Sequence, residues 1–302
     1  MGREVRNIAT GSRSFTDSIA AKTQCNANVT STDVRRLGLL ESLSFKAQIA
    51  YGRRTYGKRA SITRISRTQV VKTTSHTKLT EALTLDYIAA NTTIPVPRVH
   101  RIFEDSRGYL NLVMDYVEGM ELEQVWDGMQ PRDRLAVMHQ LRDYIAQLRK
   151  LKPPRPGAVE ALNGDACKDF RIRADRPFAS VAEFQMFLGR DWFMENKLAE
   201  YNEFAPALQR SAARSYRTVF THCDLAPRNI LVKGARIVAI VDLEFGGWYP
   251  EYWEYTQAYF SNLALPGAGA GVWELFEEEA FPERYPDELT TEICLASCFE
   301  RY

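Results

Sequence analysis

The stretch that most constrains this chain lies in its C-terminal third. There Thr221-His222-Cys223-Asp224-Leu225-Ala226-Pro227-Arg228-Asn229 runs directly into the apolar residues Ile230-Leu231-Val232. A turn at Lys233-Gly234-Ala235 follows, and then a second apolar run, Ile237-Val238-Ala239-Ile240-Val241, which ends in Asp242-Leu243-Glu244-Phe245-Gly246. Two short runs rich in branched aliphatic residues around a glycine turn predict an antiparallel hairpin. A hairpin returns both of its ends to one place, so Asn229 and Asp242 are expected together, with Asp224 beside them.

Taken singly, an aspartate after a strand is a turn former and Asn229 a cap. Taken jointly, the order His, Asp, Asn, Asp, with strands in the gaps, suits phosphoryl transfer. That chemistry asks little covalent help of a protein: a carboxylate beside the attacking hydroxyl, and oxygen ligands that hold magnesium against the phosphates of ATP. Asp224 is the candidate base or orienter, and Asn229 and Asp242 are the candidate metal ligands. His222 is expected to brace the loop by hydrogen bonding rather than to titrate.

These residues, with Gly247-Trp248-Tyr249-Pro250-Glu251-Tyr252-Trp253-Glu254, Asn91-Thr92-Thr93-Ile94-Pro95-Val96-Pro97-Arg98-Val99 and Pro177-Phe178 with Glu183-Phe184, resemble the aminoglycoside phosphotransferase and choline kinase-like family, particularly its fungal-type branch. The similarity runs from about residue 60 to the C-terminus. It implies an α+β, bilobal, protein-kinase-like fold with a small antiparallel-sheet N-lobe carrying one helix and a larger, mainly helical C-lobe. It also implies transfer of the terminal phosphate of ATP, with Mg2+, to a hydroxyl of a small molecule. By the same resemblance Lys72 contacts phosphate, Glu81 fixes Lys72, the backbone of Asp115 and Val117 meets adenine, and Leu231 floors that pocket. Two departures stand out. The loop Tyr56-Gly57-Lys58-Arg59-Ala60-Ser61 carries one glycine where several are expected to admit phosphate. Cys223 stands where the family usually has glycine, so the catalytic turn should be crowded.

The local pattern agrees with two lobes. Residues 61–73 read as a hairpin ending Val70-Val71-Lys72, Leu79 to Ile88 as a buried helix, and Val99–Phe103 and Leu110–Tyr116 as two strands around the turn at 104–108. Beyond Gly119, Pro131 opens a helix with an apolar stripe of Leu135, Met138, Leu141, Ile145, Leu148 and Leu151. A second helix is expected after Ser180, with Phe184, Phe187, Leu188, Trp192 and Phe193 packed into the core. The catalytic hairpin is the only clear sheet of the second lobe. The expected division is 1–50 a variable extension, 51–118 the N-lobe and 119–302 the C-lobe; residues 1–40 show little periodicity and read as peripheral.

At 302 residues and 45% hydrophobic content, the chain can bury a two-lobed core, and its net charge of +1 gives no global pull toward nucleic acid or membrane. No apolar run approaches a bilayer span, and the N-terminus lacks a signal-peptide core. Five scattered cysteines without a C-x-x-C pair argue against disulfides or zinc, so a cytoplasmic protein is expected, with its two N-x-T sequons unglycosylated. Only residues 243–249 separate Asp242 from Pro250-Glu251, too few for the peptide-binding segment of a protein kinase. A small acceptor is therefore expected. It would be cationic if the acids between 274 and 292 lined its cleft; the alternative for those acids is an exposed helix. Two other functions fit parts of the chain: a silent nucleotide-binding scaffold, given the missing glycines, and nucleic-acid binding through the acid-free basic run at 51–78.

Overall fold

In the computed structural model the described residues are 34–59, 61–73, 79–105, 108–172, 174–263 and 272–298. Residues 1–33, with Cys25 and the Asn28 sequon, lie outside them, as do Ala60 and positions 106–107 of the expected turn.

The first lobe runs β1 (Arg35–Arg36), α1 (Leu39–Tyr56), β2 (Lys58–Arg59), β3 (Ile62–Arg64), β4 (Gln69–Thr73), α2 (Leu79–Asn91), β5 (Val99–Glu104) and β6 (Leu110–Asp115). Its six strands lie in the order β1-β5-β6-β4-β3-β2, antiparallel except for the parallel pair β1–β5. The two-residue period of the sheet divides its side chains between two cores. Val70, Leu112 and Met114 pack with Ala82 and Leu85 of α2, whereas Val71 and Val113 pack with Phe45 of α1. Lys72, two residues after Val70, shares the α2 face.

Helix α1 corrects the sequence reading, which gave this lobe one helix and left 1–40 without structure. It begins at Leu39, runs across the boundary expected at residue 50, and covers the second face of the sheet. Phe45 meets Phe103 edge-on at 4.6 Å. Gly52 permits the close approach, since a Cβ there would lie 2.0 Å from the Arg64 carbonyl oxygen. The helix carries apolar residues on two sides, so no single stripe announces it.

The second lobe runs β7 (Met120–Glu121), α3 (Pro131–Lys150), β8 (Glu160–Ala161), α4 (Val181–Phe187), α5 (Arg190–Asn196), α6 (Ala205–Ala213), β9 (Thr218–Thr221), β10 (Ile230–Lys233), β11 (Arg236–Ile240), β12 (Gly247–Pro250), α7 (Trp253–Leu263) and α8 (Pro286–Cys298). The β10–β11 hairpin turns at Gly234, where φ is +63°, and takes β7 as a third strand. A second sheet, β8-β12-β9, was missed. Its two-residue and four-residue strands are too short for a periodicity to register.

Three details of the helices also differ from expectation. On α3 the buried face is Val137, Met138, Leu141, Ile145 and Leu148, while Leu135 is exposed. The helix after Ser180 breaks at Gly189, where φ is +85°. Phe184, Leu188 and Phe193 are core residues there, but Phe187 and Trp192 are about half exposed. The acids between 274 and 292 are largely paired: Glu277 with Tyr255, Glu279 with His139, Glu283 with Arg149, Asp287 with Arg210, Glu288 with Arg214 and Glu292 with Arg171. They fasten the C-terminal segment to the lobe.

Candidate active site

The turn that carries the candidate catalytic residues leaves β9 and is almost wholly buried. The backbone N–H groups of His222 and Cys223 both point at Glu254, in the first turn of α7, donating to its two carboxylate oxygens at 2.5 and 3.1 Å. Burial pushes the Glu254 carboxyl up to about 7, against the pull of those two hydrogen bonds. Cys223 takes a left-handed conformation, φ +72°, which its Cβ disfavours and glycine does not. Its thiol points at Asp169, 3.6 Å away, and burial raises the thiol pKa well above its usual value. It is a packing residue, not a nucleophile. Asp169 is itself buried, accepting from the Trp253 indole at 3.0 Å and from the N–H groups of Arg171 and Ile172.

His222 is enclosed. Its Nε2 lies 3.0 Å from the Val241 carbonyl, and its Nδ1 accepts the Asp224 N–H at 3.2 Å, so it is the neutral tautomer protonated at Nε2. Burial lowers its pKa, in keeping with a bracing role. Three side chains converge on the Asp224 carboxylate. Arg228 reaches Oδ1 at 2.5 Å, Ser261 donates to Oδ1 at 3.2 Å, and Asn229 Nδ2 donates to Oδ2 at 2.8 Å. Asn229 Nδ2 also reaches the Asp224 carbonyl at 2.8 Å, which turns the amide oxygen of Asn229 away from Asp224.

The hairpin brings the remaining oxygens alongside. The Val241 N–H donates to the Asn229 carbonyl at 3.0 Å, so Asp242 stands one residue from Asn229 across the ladder. Asp242, at φ +67°, aims its carboxylate toward the first lobe, where Lys72 Nζ meets Oδ1 at 2.6 Å. The same ammonium lies 2.9 Å from Glu81 and 3.7 Å from Glu244. Burial alone would lower the Lys72 pKa, but these three carboxylates together raise it above its usual value. One oxygen from each of Glu81, Asp242 and Glu244 lies within 4.8 Å of the others. Leu243, between the last two, is buried in the first lobe's core and ties the lobes together.

The residues expected at adenine lie on β6, just beyond it, and on β10. Asp115 ends β6, with its carboxylate held by His100 at 2.7 Å, Val117 follows, and Leu231 pairs with Ala239 and Glu121. A cavity of about 260 Å3 is lined by Thr80, Ala161, Asp165, Ala166, Lys168, Asp175, Glu244 and Phe245. Sequence reasoning gave no role to Arg228, Glu244, Glu254, Ser261 or Asp169. The i, i+4 spacing of Arg228 from Asp224 was a usable signal, and so was the Asp242-Leu243-Glu244 triplet. Nothing local pointed to Asp169, which lies 54 residues from Cys223. Gln257 shares α7 with Glu254 and Ser261 and is fully buried, yet neither end of its amide has a hydrogen-bond partner among the described residues.

The fold recurs in solved structures. A thermostable mutant of aminoglycoside phosphotransferase APH(4)-Ia, in ternary complex with AMP-PNP and hygromycin B, superposes with a TM-score of 0.54 at 13% identity, over 82% of this chain and 88% of that one. The GDP complex of wild-type aminoglycoside 2'-phosphotransferase-IIIa gives 0.53 at 13% identity over 85% and 87%. The GDP and kanamycin complex of APH(2")-IIIa gives 0.51 at 14% over 85% and 89%. These likenesses show an α+β, protein-kinase-like fold. No curated protein sequence matches the chain significantly. The model of the phosphotransferase enzyme family matches residues 51–283, more than three-quarters of the chain, and with it the chain belongs to that family.

Proposed function

We propose that this phosphotransferase moves the terminal phosphate of ATP, with magnesium, to a hydroxyl of a small, cationic acceptor. The observation that carries the reading is Lys72, which touches Glu81 of its own lobe and Asp242 of the other at the end of the hairpin that also presents Asn229 and Asp224.

Asp224 is the group for the acceptor hydroxyl. Its carboxylate is fixed by Arg228, Ser261 and Asn229, and it can take the proton as the hydroxyl oxygen bonds to phosphorus. Lys72 has three N–H donors, of which Glu81 and Asp242 occupy two, leaving one for a phosphate oxygen. The Asn229 amide oxygen and the Asp242 carboxylate are hard oxygen donors that fit magnesium, which when bound would neutralise phosphate charge. The cavity beside Glu244 suits the acceptor. Asp165, Asp175 and Glu244 outnumber Lys168 on its wall, which favours a cation. Asp115 and Val117 with Leu231 are proposed for adenine.

The test is ADP production from ATP and magnesium across a panel of amino sugars, amino alcohols and nucleosides. Asp224→Ala should lower turnover with the responding acceptor by about 100-fold or more while leaving ATP affinity unchanged. Undiminished turnover would refute the assignment of the base. One observation favours a second reading, a silent nucleotide-binding scaffold. Gly57, the one glycine of the 56–61 loop, serves to end α1, so glycine-borne phosphate cover is lacking. ATP binding without turnover on any acceptor or on water would select it.

A further inference from the structure

Helix α1 is apolar on the side facing away from the protein as well as on the side it buries. Phe45, Ile49 and Gly52 face the sheet, whereas Leu39, Leu40, Leu43 and Tyr51 are 86%, 84%, 62% and 59% exposed. At 3.6 residues per turn these four, with the exposed Ala47 and Ala50, fall within an arc of about 120°. The arc also carries Arg54, and Lys46 and Arg53 flank one edge of it; all three are exposed. None of the three makes an ion pair among the described residues. The helix's one acid, Glu41, is on the far side, accepting the Gly38 N–H at 3.1 Å.

A solvated helix back needs no leucines, and a contiguous exposed apolar face rimmed by one sign of charge marks a docking surface. We infer that α1 is a docking face for an anionic lipid surface, lying in the headgroup plane with Leu39, Leu40 and Leu43 inserted and Lys46, Arg53 and Arg54 on the lipid phosphates. Charge decides the occupant. In a symmetric antiparallel pair of copies, the cationic edges of two α1 helices would face each other and repel. An anionic bilayer supplies the opposite charge along with an apolar layer, and long cationic side chains reach outward to its headgroups. The contact is peripheral: no helix among the described residues is long and apolar enough to cross a membrane. It departs from the expectation drawn from whole-chain charge, because the +1 total conceals a local run of cations without acids. Nothing in this inference depends on catalysis.

The test floats the full chain with vesicles of phosphatidylcholine alone and of phosphatidylcholine with phosphatidylserine. Binding is expected to the mixture and not to phosphatidylcholine alone, and it should weaken as salt is added. Leu39→Ser with Leu43→Ser should weaken it about 100-fold, roughly tenfold for each leucine withdrawn from an apolar layer. Lys46→Gln, Arg53→Gln and Arg54→Gln should each weaken it about fivefold. All of these positions are exposed, so circular dichroism should be unchanged. Absence of flotation by the wild type at low salt would overturn the inference. So would a dimer in light scattering that the leucine variants dissociate. A chain that binds vesicles only after removal of residues 1–33 would also overturn it, by showing that its own segment occupies the face.

Discussion

Lys72→Met tests the electrostatics that join the lobes, because methionine keeps most of the length and apolar stem of the side chain while removing its charge and the N–H donors that reach Glu81 and Asp242. Glu81 is 1% exposed, and burial pushes its carboxyl from 4.5 up to about 7 even with Lys72 beside it. A carboxyl whose folded-state pKa lies above its unfolded value loses stability as pH rises between the two. In the wild type that loss stops near pH 7, where Glu81 ionises against Lys72. In the variant no cation remains at 2.9 Å, and Asp242 and Glu244 still oppose a further charge, so Glu81 stays protonated and the loss continues. Above neutrality the gap in unfolding free energy between the two proteins should therefore widen by about 1.4 kcal/mol per pH unit. Below about pH 6 it should be a flat offset of about 1–3 kcal/mol for the lost hydrogen bonds. Urea unfolding of both proteins at several pH values from about 6 to 9, with matched m-values, measures it. A gap that is constant or narrows with pH would refute the claim that Lys72 holds the Glu81 charge.

The left-handed turn at Cys223 predicts that Cys223→Val destabilises by about 2–4 kcal/mol, from a β-branched residue at positive φ and from overpacking in a buried site, whereas Cys223→Gly should cost under about 2 kcal/mol. Equal melting temperatures for the two variants would contradict it. The unpartnered amide of Gln257 predicts that Gln257→Leu is neutral or stabilising by about 1–2 kcal/mol in thermal unfolding. Since α7 carries Glu254 and Ser261 to the loop proposed as catalytic, the same variant should lower acceptor-dependent turnover; a stability loss above about 2 kcal/mol would show that the amide is bonded.

The parts of the site that were legible in sequence depend on short-range order. Asp224, Asn229 and Asp242 could be placed because five residues and one hairpin separate them, and a hairpin's register follows from its turn. Lys72 could be placed because it continues the alternation of β4 on the face of α2. What was not legible depends on chain segments that meet without sharing a pattern. Glu254 reaches His222 from 32 residues away, and Ser261 reaches Asp224 from 37. Phe187 and Trp192 fit a helical stripe that Gly189 interrupts, and the positive φ there divides the stripe into two short helices.

The Glu254 clamp sets local and global stability against each other. Two backbone N–H groups one residue apart need two acceptor oxygens, which a carboxylate offers and a neutral amide does not. The group is fully buried, and with a folded-state pKa near 7 against 4.5 unfolded it loses the chain about 3 kcal/mol as pH rises through that window. Ionisation in the same window frees both oxygens to accept, so the two contacts at 2.5 and 3.1 Å should strengthen as the whole protein weakens. Amide exchange should resolve the two effects. Exchange at His222 and Cys223, corrected for the intrinsic pH dependence, should slow relative to neighbouring amides between about pH 5 and 8, while the unfolding free energy falls. In Glu254→Gln the opposition should vanish, with a flatter stability profile and faster exchange at one of the two amides. If wild-type protection at these amides falls in step with global stability, the turn is held by packing around Cys223 rather than by the charge beneath it.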